Sequence, residues 1–225
     1  GRWLAGNMQY RHLLTAPGFT MMGRWQLMQA MLMFVGAPLY VAIYVMAVVL
    51  ALVRPAAVVG DATALLAVLW PLALYAPKLL GYLETMLFPS RRQAYGGAWR
   101  FVAGALVEIL FTLLLDAVSY VSKTQALLRV ALGGRPGWLP QSRSDRGVSW
   151  GEAFRLYWPH TALGVASFAA LLGVNPCFAL LALPFAGGLL AAVPLCVLTA
   201  SPRVSRWLRA CGVAAFPEEI SPPRA

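Results

Sequence analysis

Charged side chains, cysteine and histidine are all scarce in this chain. Only 12% of its 225 residues are charged, about half the ~25% typical of a soluble domain. Three cysteines (Cys177, Cys196 and Cys211) lack Cys-x-x-Cys spacing, and two histidines are too few for a histidine-based metal cluster. We therefore expect neither a disulfide framework nor a metal site in this chain, and we interpret the cysteines as small buried hydrophobes.

Acidic residues are especially few. The chain has 8 acidic against 18 basic residues, a net charge of +10, and no Asp-x-Asp pair. An excess of basic over acidic residues favours binding to anionic lipid or to nucleic acid. Nucleic acid is excluded as the partner, because the charges are separated by membrane-length apolar runs instead of being gathered on one soluble face.

Long uncharged runs are what the chain has in abundance. It is 60% hydrophobic with a mean hydropathy of +0.69. No charge occurs in 25–53, between Arg24 and Arg54, or in the 47 residues of 156–202. A spanning helix needs about 20 apolar residues. Asn175-Pro176 near the middle of the second run predicts a turn that makes it a transmembrane hairpin, with basic flanks on one side.

Two further apolar runs carry charges. Run 64–88 contains Lys78, which we expect to extend to the lipid headgroups. Run 101–118 contains Glu108 and Asp116, eight positions apart and thus broadly on one helical side. We interpret this segment as interfacial, where carboxylates cost little; the competing interpretation is a polar path for sugar. Residues 119–132 show the pattern of an interfacial amphipathic helix that ends at Gly133-Gly134.

Four tyrosine and tryptophan side chains in the apolar runs fit two roles. Aromatic-belt or helix-packing roles are favoured for each, and stacking on a sugar polymer is the alternative. They are Tyr40, Tyr44, Trp70 and Tyr75.

Together these patterns predict an all-α polytopic membrane protein. We expect four to six transmembrane helices with amphipathic interface helices, and no soluble catalytic domain within the chain. The predicted organisation is the end of a cytosolic domain with an interface segment (1–24), a transmembrane hairpin (25–90), cytoplasmic loops with membrane or interfacial helices (91–155), a second hairpin (156–200) and a cytoplasmic tail (201–225).

Four short motifs point to a family. They are Arg2-Trp3-Leu4-Ala5-Gly6-Asn7-Met8-Gln9, Tyr95-Gly96-Gly97-Ala98-Trp99-Arg100, Ser149-Trp150-Gly151-Glu152-Ala153-Phe154 and Phe216-Pro217-Glu218-Glu219-Ile220-Ser221-Pro222-Pro223. In this order, with these apolar runs between them, the chain resembles the C-terminal membrane part of the glucans biosynthesis glucosyltransferase H family. These are processive family-2 glycosyltransferases that make the backbone of osmoregulated periplasmic glucans.

The resemblance implies a function for the whole enzyme. UDP-glucose would be the donor and a β-linked glucan the product, made in the bacterial inner membrane by a multi-pass protein whose C-terminus is cytoplasmic. A divalent metal is expected in a catalytic domain that this chain lacks, and no cofactor in the chain itself. The implied partners are UDP-glucose and growing glucan through that domain, the lipid bilayer and a periplasmic glucan-processing protein.

The same resemblance assigns two site residues. Trp3 would stack on the acceptor glucose at the channel mouth, and Arg2 would neutralise charge on the UDP leaving group. The alternative for both is a basic-aromatic pair at a membrane surface. The chain begins Gly-Arg-Trp without a methionine, which we interpret as the tail of a motif whose first half is missing.

A second hypothesis, from another class, is a stand-alone polytopic transporter or membrane scaffold without catalytic activity. Paired polar side chains in the middle of several helices would favour it. We expect the fragment by itself to lack transferase activity under the first hypothesis.

Overall fold

The computed structural model describes residues 2–58, 60–134, 146–213 and 216–220. The side chains of residues 2–5, 61–64, 67, 219 and 220 lie outside that description. All regular structure in the described residues is helical. The helices are α1 (Arg2–Gln9), a 3₁₀ turn (Tyr10–His12), α2 (Met21–Val53), α3 (Pro55–Val58), α4 (Asp61–Leu87), α5 (Pro89–Ala94), α6 (Ala98–Ala131), α7 (Trp150–Val174), α8 (Pro176–Leu190), α9 (Ala192–Thr199), α10 (Pro202–Ala210) and α11 (Pro217–Ile220).

Two helices are long and apolar enough to cross a membrane by length and composition. They are α2 and α6, and α8 with α9 makes a third if this pair, bent by 55°, counts as one span. The described residues thus support an all-helical membrane protein with two or three candidate spans. The predicted four to six spans are not confirmed.

Local sequence signals set the helix ends. Asn175 accepts a hydrogen bond from the Cys177 backbone N–H at 2.9 Å and Pro176 starts α8, as expected for an N-cap followed by proline. The predicted turn at Asn175-Pro176 is therefore confirmed. Ser149 and Glu152 form a reciprocal capping box at the start of α7, so this helix begins earlier than the predicted hairpin.

The entry to α2 is held by a single arginine. The Arg24 guanidinium donates to the carbonyl oxygens of Leu14 and Ala16, while Thr20 caps the helix through the Gly23 N–H. Gly18, with φ of 91°, turns the chain just before. The chain therefore turns at Pro17-Gly18, between the 3₁₀ turn and α2.

The centre of the molecule is where α6 meets α8 and α2. A buried cluster joins Ala117 and Val121 of α6 to Leu189 of α8. Gly188 lies so close to Leu114 and Ala117 of α6 that it leaves no room for a Cβ atom. Small residues at such crossings let helix backbones approach closely.

Two sequence expectations are wrong here. Residues 119–131 do not form a separate interfacial helix but continue α6 into the core, where Val121 is buried. Cys177 and Cys211 are exposed and Cys196 is only half-buried, so the cysteines are not buried hydrophobes within this chain.

Candidate functional site

The candidate site begins with a stripe of polar residues on α6. Glu108, Thr112, Asp116 and Tyr120 follow one another at intervals of four, which places them on one face of the helix. At 1.5 Å per residue the stripe is about 18 Å long. It lies on a helix that is otherwise apolar enough to cross a membrane.

A lysine from α4 meets the first part of this stripe. Lys78 Nζ lies 2.8 Å from Glu108 Oε1 and donates a hydrogen bond of 2.8 Å to Thr112 Oγ1. The Lys78 side chain is 28% exposed and that of Glu108 53% exposed. The pair is therefore ionic but open to its surroundings on one side.

Two tyrosines of α4 extend the contact in both directions. The Tyr75 hydroxyl donates to Asp116 Oδ2 at 2.8 Å. The Tyr82 hydroxyl is buried near Glu108 and forms no hydrogen bond of normal geometry with the described residues. We call this set the polar seam: Tyr75, Lys78, Tyr82, Glu108, Thr112 and Asp116.

Aromatic rings close one end of the polar seam. Tyr40 of α2 stacks on Tyr120 with 4.5 Å between ring centroids and meets Trp70 of α4 edge-on at 5.7 Å. Phe185 of α8 lies parallel to Tyr120 at 6.4 Å. Stacked and edge-on rings at these separations are mutually stabilising.

A cavity of about 370 Å³ lies at the other end of the seam. Glu108 and Tyr82 belong to its lining, so the cavity and the seam are continuous. Phe101 packs edge-on against Tyr82 and Tyr95 at 6.0 and 5.2 Å. The remaining lining includes Thr85, Arg100, Gly104, Ala105, Gly212 and Phe216.

Two more polar contacts join helices outside the seam. Ser122 Oγ lies 2.9 Å from Nε2 of His160, which is almost fully buried between α6 and α7. The Tyr44 hydroxyl lies 2.6 Å from Ser167 Oγ across α2 and α7. In an apolar environment such pairs satisfy groups that would otherwise cost free energy.

The structure corrects two predictions about the charges in runs 64–88 and 101–118. Lys78 does not extend to the lipid headgroups, because its ammonium is held by Glu108 and Thr112. Run 101–118, interpreted as interfacial, instead belongs to α6, which is long and apolar enough to cross a membrane, and Glu108 and Asp116 each meet a partner on α4. Pairing across two helices lowers the cost of placing these charges within apolar segments.

The packing role predicted for the aromatic residues is confirmed for three of them. Tyr40, Tyr44 and Trp70 each contact another aromatic ring between helices. Tyr75 instead donates its hydroxyl to Asp116.

Arg2 and Trp3, the site residues predicted from the resemblance, lie in α1. Their side chains lie outside the described part of the structure. Their roles stay predictions. Within the described residues, no group of three or more His, Cys, Asp or Glu side chains could hold a metal ion.

Sequence reasoning missed Thr112, Tyr82, Tyr120 and the Ser122–His160 pair. The signal for Thr112 and Tyr120 was present in the sequence. Thr112 lies midway between Glu108 and Asp116, and Tyr120 lies four positions after Asp116, so all four share one helical face. No local signal exists for Ser122 and His160, because 38 residues separate the partners.

Comparison with known proteins gives a consistent result. The chain is 28% identical over 99% of its length to "Glucans biosynthesis glucosyltransferase H" of Xanthomonas euvesicatoria pv. vesicatoria (strain 85-10). It is 30% identical, again over 99% of its length, to proteins of the same name from Cupriavidus pinatubonensis (strain JMP 134 / LMG 1197) and Rhodopseudomonas palustris (strain TIE-1). The predicted resemblance is therefore confirmed.

The match covers only part of those relatives. The chain spans 37% of the Xanthomonas protein, 28% of the Cupriavidus protein and 33% of the Rhodopseudomonas protein. No protein-family model matches the chain. No solved structure matches it either.

Proposed function

We propose that this chain is the membrane channel portion of a processive glucosyltransferase. The full protein would polymerise glucose from UDP-glucose into periplasmic β-glucan and move the product across the bacterial inner membrane, with the tail 201–225 in the cytoplasm. UDP-glucose and a divalent metal would bind in a catalytic domain outside these 225 residues. A periplasmic glucan-processing protein would receive the product. The names of the relatives support the reaction class.

The polar seam is the observation that carries the channel proposal. Charged side chains within apolar helices are costly and are retained mainly where they line a path or a site. The seam offers carboxylate, hydroxyl and ammonium groups over about 12 Å of α6, with Glu108 half exposed. Sugars need hydrogen-bonding partners for their hydroxyls and flat apolar surfaces for their ring faces, and the seam ends in aromatic rings on both sides.

Arg2 and Trp3 would act where the catalytic domain meets the channel. In this proposal Trp3 holds the acceptor glucose by stacking, and Arg2 stabilises the UDP leaving group. The support is the resemblance of the first motif to the family signature.

A test requires the full-length enzyme in inverted membrane vesicles. Glu108→Gln with Asp116→Asn should lower the ratio of lumenal to external glucan about tenfold, since hydrogen bonds to charged groups are worth about 1.5–3 kcal/mol. Glu84→Gln is the matched control, because Glu84 pairs with Arg91 outside the seam. An unchanged ratio in the double variant would remove the seam from the translocation path.

A second arm of the same assay addresses the acceptor site. Trp3→Ala should sharply reduce total glucan synthesis while UDP-glucose binding stays largely intact. Unchanged synthesis would contradict the stacking role and leave the seam result unaffected.

The transporter or scaffold alternative is favoured by one observation. Polar side chains pair between helices at the seam, at Ser122–His160 and at Tyr44–Ser167. Sugar transport by the 225-residue chain alone, in vesicles without any catalytic domain, would favour this alternative over the channel of a synthase.

A further inference from the structure

Helix α10 separates its charges from its apolar residues. Arg203, Arg206 and Arg209 follow one another at intervals of three, and Val204, Trp207 and Leu208 lie between them. At 100° per residue the arginines centre on one side of the helix and the apolar residues on nearly the opposite side. The sequence alone makes this nine-residue helix amphipathic.

The fold places α10 between the beginnings of two longer helices. At its start, Pro202 and the preceding Ala200 lie against Gly147, three residues before α7. Just past its end, Gly212 packs against the Arg100 side chain in the first turn of α6. The helix directly follows the bent pair α8–α9, a candidate membrane span. Its position is therefore fixed by the protein at both ends.

The arginine side and the apolar side of α10 are both only partly covered by the rest of the protein. Arg203 and Arg206 are exposed and form no hydrogen bond or ion pair with any residue that the structure describes. Trp207 is 64% exposed, whereas its apolar neighbours Val204 and Leu208 are half-buried. The exposed indole thus lies beside a cationic surface.

The first turns of the neighbouring helices α6 and α7 also have an exposed tryptophan. Trp150 at the start of α7 is 61% exposed, and Trp99 beside Arg100 is 79% exposed. Tryptophan is enriched where hydrocarbon meets water, because its ring is apolar and its N–H is polar. Arginine clusters beside a membrane attract anionic headgroups.

We propose that α10 is a membrane-surface helix that binds anionic phospholipid, with Arg203 and Arg206 on the phosphates and Trp207 among the upper acyl chains. The partner must present negative charge next to hydrocarbon, since the uncovered cations and the uncovered indole are on one short helix. A phospholipid surface meets both requirements. An acidic soluble protein would satisfy the arginines but leave the indole in water.

The test uses the 225-residue chain reconstituted in bilayers with brominated phosphatidylglycerol or brominated phosphatidylcholine. Bromine on the acyl chains quenches the fluorescence of nearby tryptophan. Subtracting the fluorescence of the Trp207→Phe variant from that of the unaltered chain gives the share of the fluorescence that comes from Trp207. We expect that share to be quenched at a lower mole fraction of brominated phosphatidylglycerol than of brominated phosphatidylcholine. High salt should reduce the difference for the unaltered chain.

Two double variants distinguish the effect of Arg203 and Arg206 from the effect of the net charge of the chain. Arg203→Gln with Arg206→Gln should weaken the affinity of α10 for phosphatidylglycerol by about fivefold per arginine, so that quenching by brominated phosphatidylglycerol approaches that by brominated phosphatidylcholine at equal mole fraction. Arg54→Gln with Arg129→Gln removes the same charge elsewhere and should leave the preference for phosphatidylglycerol unchanged. Circular dichroism of each variant checks that helix content is preserved.

Three results would overturn the proposal. Equal quenching by both lipids would remove the preference for anionic headgroups. A Trp207 that is not quenched by either lipid, yet accessible to a water-soluble quencher, would place α10 in water and leave an acidic protein as the partner to seek. An equal response of the two double variants would assign the effect to net charge alone.

Discussion

Helix α8 and helix α4 are held to α6 in opposite ways. Gly188 of α8 brings its backbone against Leu114 and Ala117 of α6, with no space for a side chain between them. Helix α4 instead reaches α6 through the long side chains of Tyr75 and Lys78, and its Gly81 faces open space. Small residues give a dry and rigid crossing, whereas long polar side chains hold two helices apart and leave room beside them.

This difference suits the two regions to different tasks in the proposed channel. The α7–α8 pair behaves as a scaffold: Gly164 of α7 would place a Cβ only 2.7 Å from the Leu190 backbone nitrogen. The contact between α4 and α6 contains the charges, the exposed carboxylate and the adjoining cavity. A path for a polar chain fits the second kind of contact and not the first.

The largest expected effect comes from filling the close crossing. Gly188→Ala should lower the free energy of unfolding by about 3 kcal/mol, because the new methyl group would displace the Leu114 carbonyl. Unfolding by denaturant in mixed micelles, followed by circular dichroism, measures the change.

The matched control lies on α7. A methyl group added at Gly173 would meet no other atom within 4 Å, so Gly173→Ala should be neutral or stabilising by up to about 1 kcal/mol from helix propensity. If both glycines tolerate alanine equally, the crossing of α8 and α6 is not rigid.

A smaller effect is expected at the seam. Lys78→Met leaves Glu108 without its counter-ion and should cost about 2 kcal/mol, between the values for exposed and buried pairs. The double variant Lys78→Met with Glu108→Met removes both charges and should cost less than the single change. The same unfolding assay gives the coupling free energy from a double-mutant cycle. Strict additivity of the two substitutions would show that the ion pair does not join α4 to α6.

The smallest effect belongs to the start of α7, on the scaffold side of the comparison. Ser149→Ala removes the N-cap and should cost about 1 kcal/mol. Hydrogen bonds from the Ser149 backbone and side chain hold the pKa of Glu152 below its ordinary value of 4.5. This stabilisation is complete above pH 4.5 and is lost as the pH falls through the lowered pKa of the folded protein.

Glu152→Gln tests the pH dependence separately. Glutamine can keep the capping hydrogen bonds without titrating, so the acid-induced loss of stability should be reduced in this variant. A pH profile identical to that of the unaltered chain would assign the acid response to other groups.

Several elements were predictable from the sequence for local reasons. Asn175-Pro176 contains both a capping side chain and a residue suited to the first helical turn, so the break between α7 and α8 needs no tertiary information. The pair Gly133-Gly134 ends α6 through a different local signal, because Gly133 adopts a φ of 83° that favours glycine. The predicted resemblance was likewise available from four motifs, and the comparisons agree with it.

The partners of the charged residues were not predictable in this way. Hydropathy treats Lys78 as an isolated cation, and for such a cation the arrangement of lowest free energy extends the ammonium to the lipid headgroups. A carboxylate 30 positions away changes that balance, because an ion pair offers the ammonium a closer partner. The same applies to Ser122, which a helical wheel places on a polar face but which lies against a buried histidine.

The sequence by itself determined the all-helical class, some helix ends such as those at Asn175-Pro176 and Gly133-Gly134, and the apolar character of the chain, because capping, proline and glycine placement and apolar composition are local properties. Only the tertiary structure decided that Glu108, Thr112 and Asp116 face Tyr75 and Lys78 to form a polar seam, and that α10 lies between the starts of α6 and α7. These arrangements depend on which helix faces meet, and that is set by close contacts such as Gly188 against Leu114 between residues far apart in the chain.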